Sequence, residues 1–188
     1  MRLFDIFKKK DKVIKKNDNK RNSETELQQA LSLSKEGKHI EAYPVFERLY
    51  NKQCNATNTF NLFQCAVYCG KTEIENKLYE KLKCYSPNLK KEPIELSGCF
   101  VRYSYAWILC NVGRSREAVE IVDYLIDVIS HYNITDPTFL YIRGIPTAQM
   151  IYELIKKTFV DDEIQLNEYK NRLVSLLDDD TKIHDFEE

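Results

Sequence analysis

Apolar residues recur along most of this chain every three or four positions, the spacing that lines one face of an α-helix. The first stripe passes through Leu27 and Leu31, follows a Ser23-x-x-Glu26 capping box, and reaches Gly37, a residue type that commonly ends helices. Sheet proteins need turn residues about every 8–12 positions, but the chain has only five glycines and five prolines. The pattern therefore predicts an all-α fold.

Three more helices are predicted in the first half of the chain. The second begins near Ile40 and carries Pro44 in its first turn, where a missing amide is tolerated. The third ends at Gly70, and a Thr72-x-x-Glu75 capping box opens the fourth. The predicted inner faces are Ala42, Val45, Phe46 and Leu49, then Phe60, Leu62, Phe63, Ala66 and Val67, then Ile74, Leu78 and Leu82.

The fifth and sixth helices follow a longer loop. Pro93 is predicted to occupy the first position of the fifth helix, since proline suits that position. This helix ends at Gly113, and Ser115 is predicted to cap the sixth. The predicted inner faces are Leu96, Phe100, Val101, Trp107 and Ile108, then Ala118, Ile121, Val122, Leu125 and Ile129.

The last part of the chain predicts a helical region opened by Asp136-Pro137 and interrupted at Gly144 and Pro146. A final helix begins near Asp161, because acidic side chains suit a helix N-terminus. Its other face is polar, as expected of a helix that closes an open stack. The predicted inner faces are Ile151, Leu154 and Ile155, then Ile164, Leu166, Tyr169, Leu173 and Leu176.

The helix-ending glycines also reveal an internal repeat. Gly37 and Gly70 are 33 residues apart, and Gly113 lies 43 beyond Gly70 because the intervening loop is longer. The segments GKHIEAYPVF and GRSREAVEIV share a register, since a small alanine, Ala42 or Ala118, follows five residues after the glycine in both. A small residue at that position lets two helices approach closely.

This register resembles the turn and second helix of a tetratricopeptide repeat over residues 23–130. The middle pair departs at Glu75, where the family has alanine, and no pair carries the whole Trp-Leu-Gly-Tyr signature of the first helix. The resemblance implies an antiparallel helix-pair superhelix of about three pairs plus C-terminal helices; a generic helical bundle is the alternative. The predicted domains are a basic arm over 1–22, the repeat domain over 23–178, and an acidic tail over 179–188.

The resemblance also implies a binding face, because the first helices of tetratricopeptide pairs line a concave surface that holds a peptide or partner helix. Family members that hold acidic chaperone tails use Lys and Asn at the early groove positions, but here those positions include Leu27 and Leu31. An aromatic face suited to an apolar or amphipathic partner is implied instead, with Arg102 able to stack on a ring; core packing is the alternative for each side chain. The implied partner-binding residues are Phe60, Gln64, Tyr68, Arg102, Tyr103, Trp107 and Asn111.

Charge is concentrated at the two ends. The net charge is −1, yet residues 1–22 carry nine Lys or Arg against three Asp, and residues 161–188 carry ten Asp or Glu against three Lys or Arg. The N-terminal arm has an apolar start followed by lysines, which predicts either a docked segment with a solvated linker or a weak membrane-surface contact. Specific nucleic-acid binding is not expected, since only these lysines would support it.

The sequence shows no pattern typical of an enzyme, cofactor site or metal centre. It lacks a glycine-rich phosphate loop, a nucleophile elbow and a His-Glu-x-x-His motif. Cys65 and Cys69 share a helix face, but a metal site needs further ligands and no histidine lies near them in sequence. No secretory signal and no transmembrane run is seen, so reduced cysteines and a cytoplasmic location are expected.

Three functional hypotheses remain open on the sequence. The first is a non-catalytic, intracellular protein-binding adaptor. The second is a dedicated inhibitor or immunity protein for a bacterial toxin, which the acidic tail favours slightly because it could cover a basic partner. The third is a secretion chaperone built from similar repeats. Usage rich in Lys, Asn, Ile and Tyr is typical of an AT-rich bacterial genome.

Overall fold

A computed structural model describes residues 24–132, 134 and 138–177 of the chain, and these residues are all-helical apart from turns, loops and one isolated bridge. The arm over 1–22, Ser23, the Asp136-Pro137 pair and the tail over 179–188 lie outside the described residues. Eight α-helices are described: α1 (24–35), α2 (His39–Lys52), α3 (Ala56–Tyr68), α4 (Thr72–Leu82), α5 (Gly98–Asn111), α6 (Ser115–Ser130), α7 (Ala148–Thr158) and α8 (Glu163–Val174).

The chain divides into two compact units at Cys65 and Ala66. The first holds α1, α2 and most of α3, and its buried apolar side chains are Ala30, Ala42, Phe46, Leu49, Leu62, Phe63 and Cys65. In the second unit neighbouring helices pack in series, since α5 packs against α4, α6 and α7, and α7 packs against α6 and α8. This is the arrangement expected of an all-α helical-repeat fold.

One backbone turn occurs three times, at the ends of α1, α3 and α5. Gly37, Gly70 and Gly113 have φ values of 76°, 63° and 79°. Residues with a Cβ rarely adopt this left-handed backbone conformation. In each turn the residue after the glycine donates its amide to the carbonyl five residues earlier, at 2.8–2.9 Å. This is the Schellman motif, and it places the second helix of each pair in the same local register.

Two predicted caps are wrong, and this turn explains both errors. The residue directly after the glycine, Lys71 or Arg114, is the N-cap, so α4 begins at Thr72 and α6 at Ser115. Neither helix has a side-chain cap hydrogen bond. Glu75 is therefore one position too far into α4 to close a capping box, and it points inward instead.

The start of α5 also differs from the prediction. Pro93 precedes a 3-10 turn, Ile94–Leu96, and is not the first residue of the helix. The helix begins at Gly98, and the Ser97 hydroxyl caps it by accepting the Phe100 amide at 3.3 Å. A Cβ at Gly98 would collide with the Lys83 carbonyl, so only glycine allows the preceding loop to approach α5 so closely.

The C-terminal helices follow the predicted interruption. A 3-10 turn, Tyr141–Arg143, ends at Gly144, and α7 starts after Thr147. The Asp162 carboxylate caps α8 by accepting the Gln165 amide at 3.0 Å. The prediction that Ile164 lies on the inner face is wrong, since 81% of it is exposed. Within the described residues, no helix is both long and apolar enough to cross a membrane.

Candidate functional site

Helix α5 separates residues that the sequence grouped into one site. Successive residues of an α-helix point about 100° apart, so Arg102 and Tyr103 leave α5 in different directions. Arg102 stacks on the Tyr124 ring of α6, with its guanidinium carbon 4.2 Å from the ring centroid. On another side of α5, the Trp107 ring lies 5.0 Å from the Lys157 ammonium of α7. The predicted ability of Arg102 to stack is confirmed, but its partner is on α6.

The aromatic surface, defined here as Tyr68, Tyr103, Trp107 and Asn111, lies in the second unit. The rings of Tyr103 and Trp107 are one helical turn apart, with centroids separated by 6.0 Å. Asn111 follows one turn later and donates from Nδ2 to the Tyr68 hydroxyl at 3.0 Å. The three aromatic side chains are half-buried and Asn111 is exposed. The structure thus brings these four predicted residues together on one surface.

Charged side chains of α7 border the aromatic surface. Burial, together with the nearby Glu153 carboxylate, raises the pKa of Tyr103. Glu153 also forms an ion pair with Lys156 at 2.7 Å. The Lys157 ammonium adds a cation–π contact on Trp107. The surface therefore combines aromatic area with a polar border, as the centre and rim of protein interfaces do.

The two remaining predicted residues, Phe60 and Gln64, lie on α3 within the first unit. They are four residues apart and half-buried, so they share one side of that helix. The Phe60 ring contacts the fully buried Phe63 ring, with centroids 6.5 Å apart. Phe60 thus covers the core of its own unit as well as presenting part of its ring to solvent.

The Arg102 side of α5 borders a cleft of about 380 Å³. We call it the arginine cleft and define it by Lys83, Leu89, Arg102, Tyr124, Ile142 and Arg143. Arg102 is fixed in the cleft because its Nη1 donates to the Lys83 carbonyl and, at 3.2 Å, to the Gly98 carbonyl. The thiol of Cys99 also lines the cleft, and burial raises its pKa.

A buried ionic network links α4, α5 and the start of α6, and sequence reasoning missed it. Glu75 is fully buried. Its Oε1 accepts the Tyr105 hydroxyl at 2.5 Å and lies 2.9 Å from Nη1 of Arg114. Arg114 also binds both Glu117 oxygens at 2.7 Å, which holds the pKa of Glu117 below its ordinary value. Burial and the bond to Glu75 raise the pKa of Tyr105 well above its ordinary value.

One sequence signal pointed to this network. Glu75 replaces the alanine expected from the repeat register, and the equivalent residues Ala42 and Ala118 are fully buried, as Glu75 is. A charged residue at a buried register position needs partners. Its partners lie 30 and 39 residues away, so no local pattern identifies them.

In the described part of the chain, no group of three or more His, Cys, Asp or Glu side chains is arranged so that it could hold a metal ion. The Cys65 thiol donates to the His39 carbonyl at 3.1 Å.

Comparison with known proteins adds no assignment: no protein-family model matches the chain, and no curated protein or solved structure shows significant similarity to it.

Proposed function

We propose that this chain is a non-catalytic, intracellular protein-binding module of the tetratricopeptide type, and that its aromatic surface holds a partner protein or peptide. The proposal is carried by one observation: the half-buried side chains of Tyr103 and Trp107 contact each other along α5, beside the exposed Asn111. Tryptophan and tyrosine are the residues that contribute most to binding energy at protein interfaces.

The local repeat supports the same proposal. The turn between the helices of a pair recurs with the same hydrogen bonds at Gly37, Gly70 and Gly113. Helical repeats stack supersecondary units and commonly bind partners on the surface those units share. The aromatic surface is formed largely by α5, the first helix of the third pair, which is the helix that lines the binding face in tetratricopeptide proteins.

The proposal can be tested with two substitutions on the aromatic surface. Tagged full-length chain is incubated with lysate from its source organism, and the retained proteins are identified and quantified. We expect one stoichiometric partner, whose affinity falls at least tenfold, or about 1.4 kcal/mol, with Trp107→Ala. Because Trp107 also contributes to packing, Asn111→Arg serves as the second variant: it places a bulky charge on an exposed position and leaves the core unchanged.

Asn167→Arg is the matched control, since Asn167 is an exposed residue of α8 outside the aromatic surface. Thermal unfolding of each variant separates loss of binding from loss of fold. The proposal is wrong if no partner is retained, or if Asn111→Arg and Asn167→Arg retain the partner equally well. A retained toxic enzyme would identify the chain as an inhibitor, and a retained secreted protein would identify it as a chaperone.

A further inference from the structure

The charged side chains that line the arginine cleft are all basic. Its lining includes three cationic side chains, Lys83, Arg102 and Arg143, and no aspartate or glutamate. Lys83 is neutralised by Glu80, whose carboxylate lies 2.7 Å away. Two positive charges therefore remain in the cleft.

The two arginines of the cleft have no carboxylate partner within 4 Å among the described residues. Three of the other four described arginines, Arg48, Arg114 and Arg172, pair with an acidic side chain. A guanidinium is a rigid fork of five N–H donors that matches a carboxylate. The unpaired arginines thus leave donors for an acidic group from outside the described chain.

Main-chain carbonyls and aromatic rings hold both guanidinium groups in place. Arg102 stacks on Tyr124 and donates to two carbonyls. Arg143 lies 3.6 Å from the Phe139 ring centroid and donates from Nη1 to the Phe139 carbonyl at 2.9 Å. Side chains ordered before binding lose less conformational entropy when a ligand arrives. The cleft is therefore preorganised for an anionic group.

Two exposed apolar side chains lie at the border of the same cleft. Leu89 is 60% exposed and Ile142 is 61% exposed. They come from different segments, the loop before α5 and the 3-10 turn before α7. An anion alone would gain nothing from them, but a peptide with an apolar residue beside an acidic one would bury both.

We propose that the arginine cleft binds an acidic peptide segment of a partner protein. A carboxylate of that segment accepts hydrogen bonds from Arg102 and Arg143, and a neighbouring apolar side chain packs on Leu89 and Ile142. This rests on the proposed function only in that the ligand belongs to a protein. The cleft and the aromatic surface lie on different sides of α5, so each can fail without the other.

The test uses the full-length chain and a phage-displayed library of random twelve-residue peptides. We expect enrichment of peptides in which Asp or Glu is next to Leu, Ile or Phe. The best peptide is synthesised with its acidic residues intact and with each replaced by the corresponding amide, and both are measured by fluorescence polarisation. The amide version should bind at least tenfold more weakly, and affinity should fall as salt is added.

Arg143→Gln is the diagnostic variant, because Arg143 is exposed and its removal should leave the fold intact. Arg143→Gln should lower the affinity for the peptide at least tenfold, and Ile142→Ser should lower it severalfold. Arg116→Gln, an exposed arginine of α6 outside the cleft, should have no effect.

Three results would overturn the proposal. The first is a library that yields no acidic peptides. The second is an acidic peptide that Arg143→Gln and Arg116→Gln bind with equal affinity. The third is a selected peptide whose binding is lost with Trp107→Ala and unchanged with Arg143→Gln; this result supports the aromatic surface and excludes the cleft.

Discussion

The turn before α4 and the turn before α6 have the same backbone but are followed by different buried side chains. Gly70 and Gly113 both adopt left-handed φ, and the next residue closes the same hydrogen bond. Five residues after the glycine, α6 has Ala118 and α4 has Glu75, and both side chains are fully buried. The repeat geometry therefore fixes where a side chain points, but not which side chain is accepted there.

Residues of α5 and of the turn before α6 compensate for the buried charge of Glu75 on α4. Arg114, the N-cap of α6, extends to Glu75, and Tyr105 donates to it from α5. A buried carboxylate without such partners would cost several kcal/mol in lost hydration. Because the three partners come from α4, α5 and the turn before α6, the network holds these elements in one relative register.

The largest expected effect comes from removing the carboxylate. Glu75→Ala removes the carboxylate that Tyr105 and Arg114 both contact, and it leaves a cavity. We expect a loss of about 3 kcal/mol in the free energy of unfolding, since breaking a buried pair from one side is strongly destabilising. Urea denaturation followed by circular dichroism measures it. Glu73→Ala is the control, because Glu73 is an exposed residue in the same first turn of α4. A change below about 1 kcal/mol for Glu75→Ala would mean that the network is not stabilising.

A smaller effect, with a defined pH dependence, is expected for Tyr105→Phe. The variant loses one hydrogen bond to a charged group, which costs about 1.5 kcal/mol at pH 7. Folding raises the pKa of Tyr105, because burial and Glu75 favour the neutral phenol. The folded protein thus keeps this proton at a pH where the unfolded chain releases it, and the stabilisation falls as pH rises above the ordinary tyrosine value of about 10.

The stability difference between the wild type and Tyr105→Phe should therefore be constant up to about pH 9 and shrink above about pH 10. The two proteins differ only at residue 105, so the difference isolates the contribution of the Tyr105 hydroxyl. Chemical denaturation at a series of pH values measures it. A difference that widens above pH 10 would contradict the assigned direction of the pKa change.

The sequence predicted the features that depend on local geometry. The helix-ending glycines and the inner faces of α2 and α6 follow from spacing alone, and Ala42, Phe46 and Ala118 are buried as expected. The caps at Thr72 and Ser115 were wrong, because a Schellman turn uses the residue after the glycine as the N-cap, and this shifts each helix start by one position. A capping pattern read without the turn geometry cannot detect that shift.

The candidate site was likewise predictable only where it depends on helical spacing. Tyr103 and Trp107 are four residues apart on one helix, so their contact follows from helical spacing. Arg102 is adjacent to Tyr103 in sequence, but the rotation of the helix directs it towards α6. Its association with Arg143 in the arginine cleft depends on how the loop before α5 and the turn before α7 meet, and no sequence period encodes that.

The smallest effect concerns the glycines, and it tests whether the turns are equivalent. A Cβ at Gly70 or Gly113 would meet nothing within 4 Å, so alanine there costs only the left-handed backbone conformation. We expect Gly70→Ala and Gly113→Ala each to lower the free energy of unfolding by about 1 kcal/mol, as measured by urea denaturation. Arg116→Ala, on the exposed side of α6, is the control and should change stability by less than about 0.5 kcal/mol. If Gly70→Ala lowers the free energy of unfolding clearly more than Gly113→Ala does, then the two turns are not equivalent. The turns before α4 and α6 would then differ in more than the side chain at the position of Glu75.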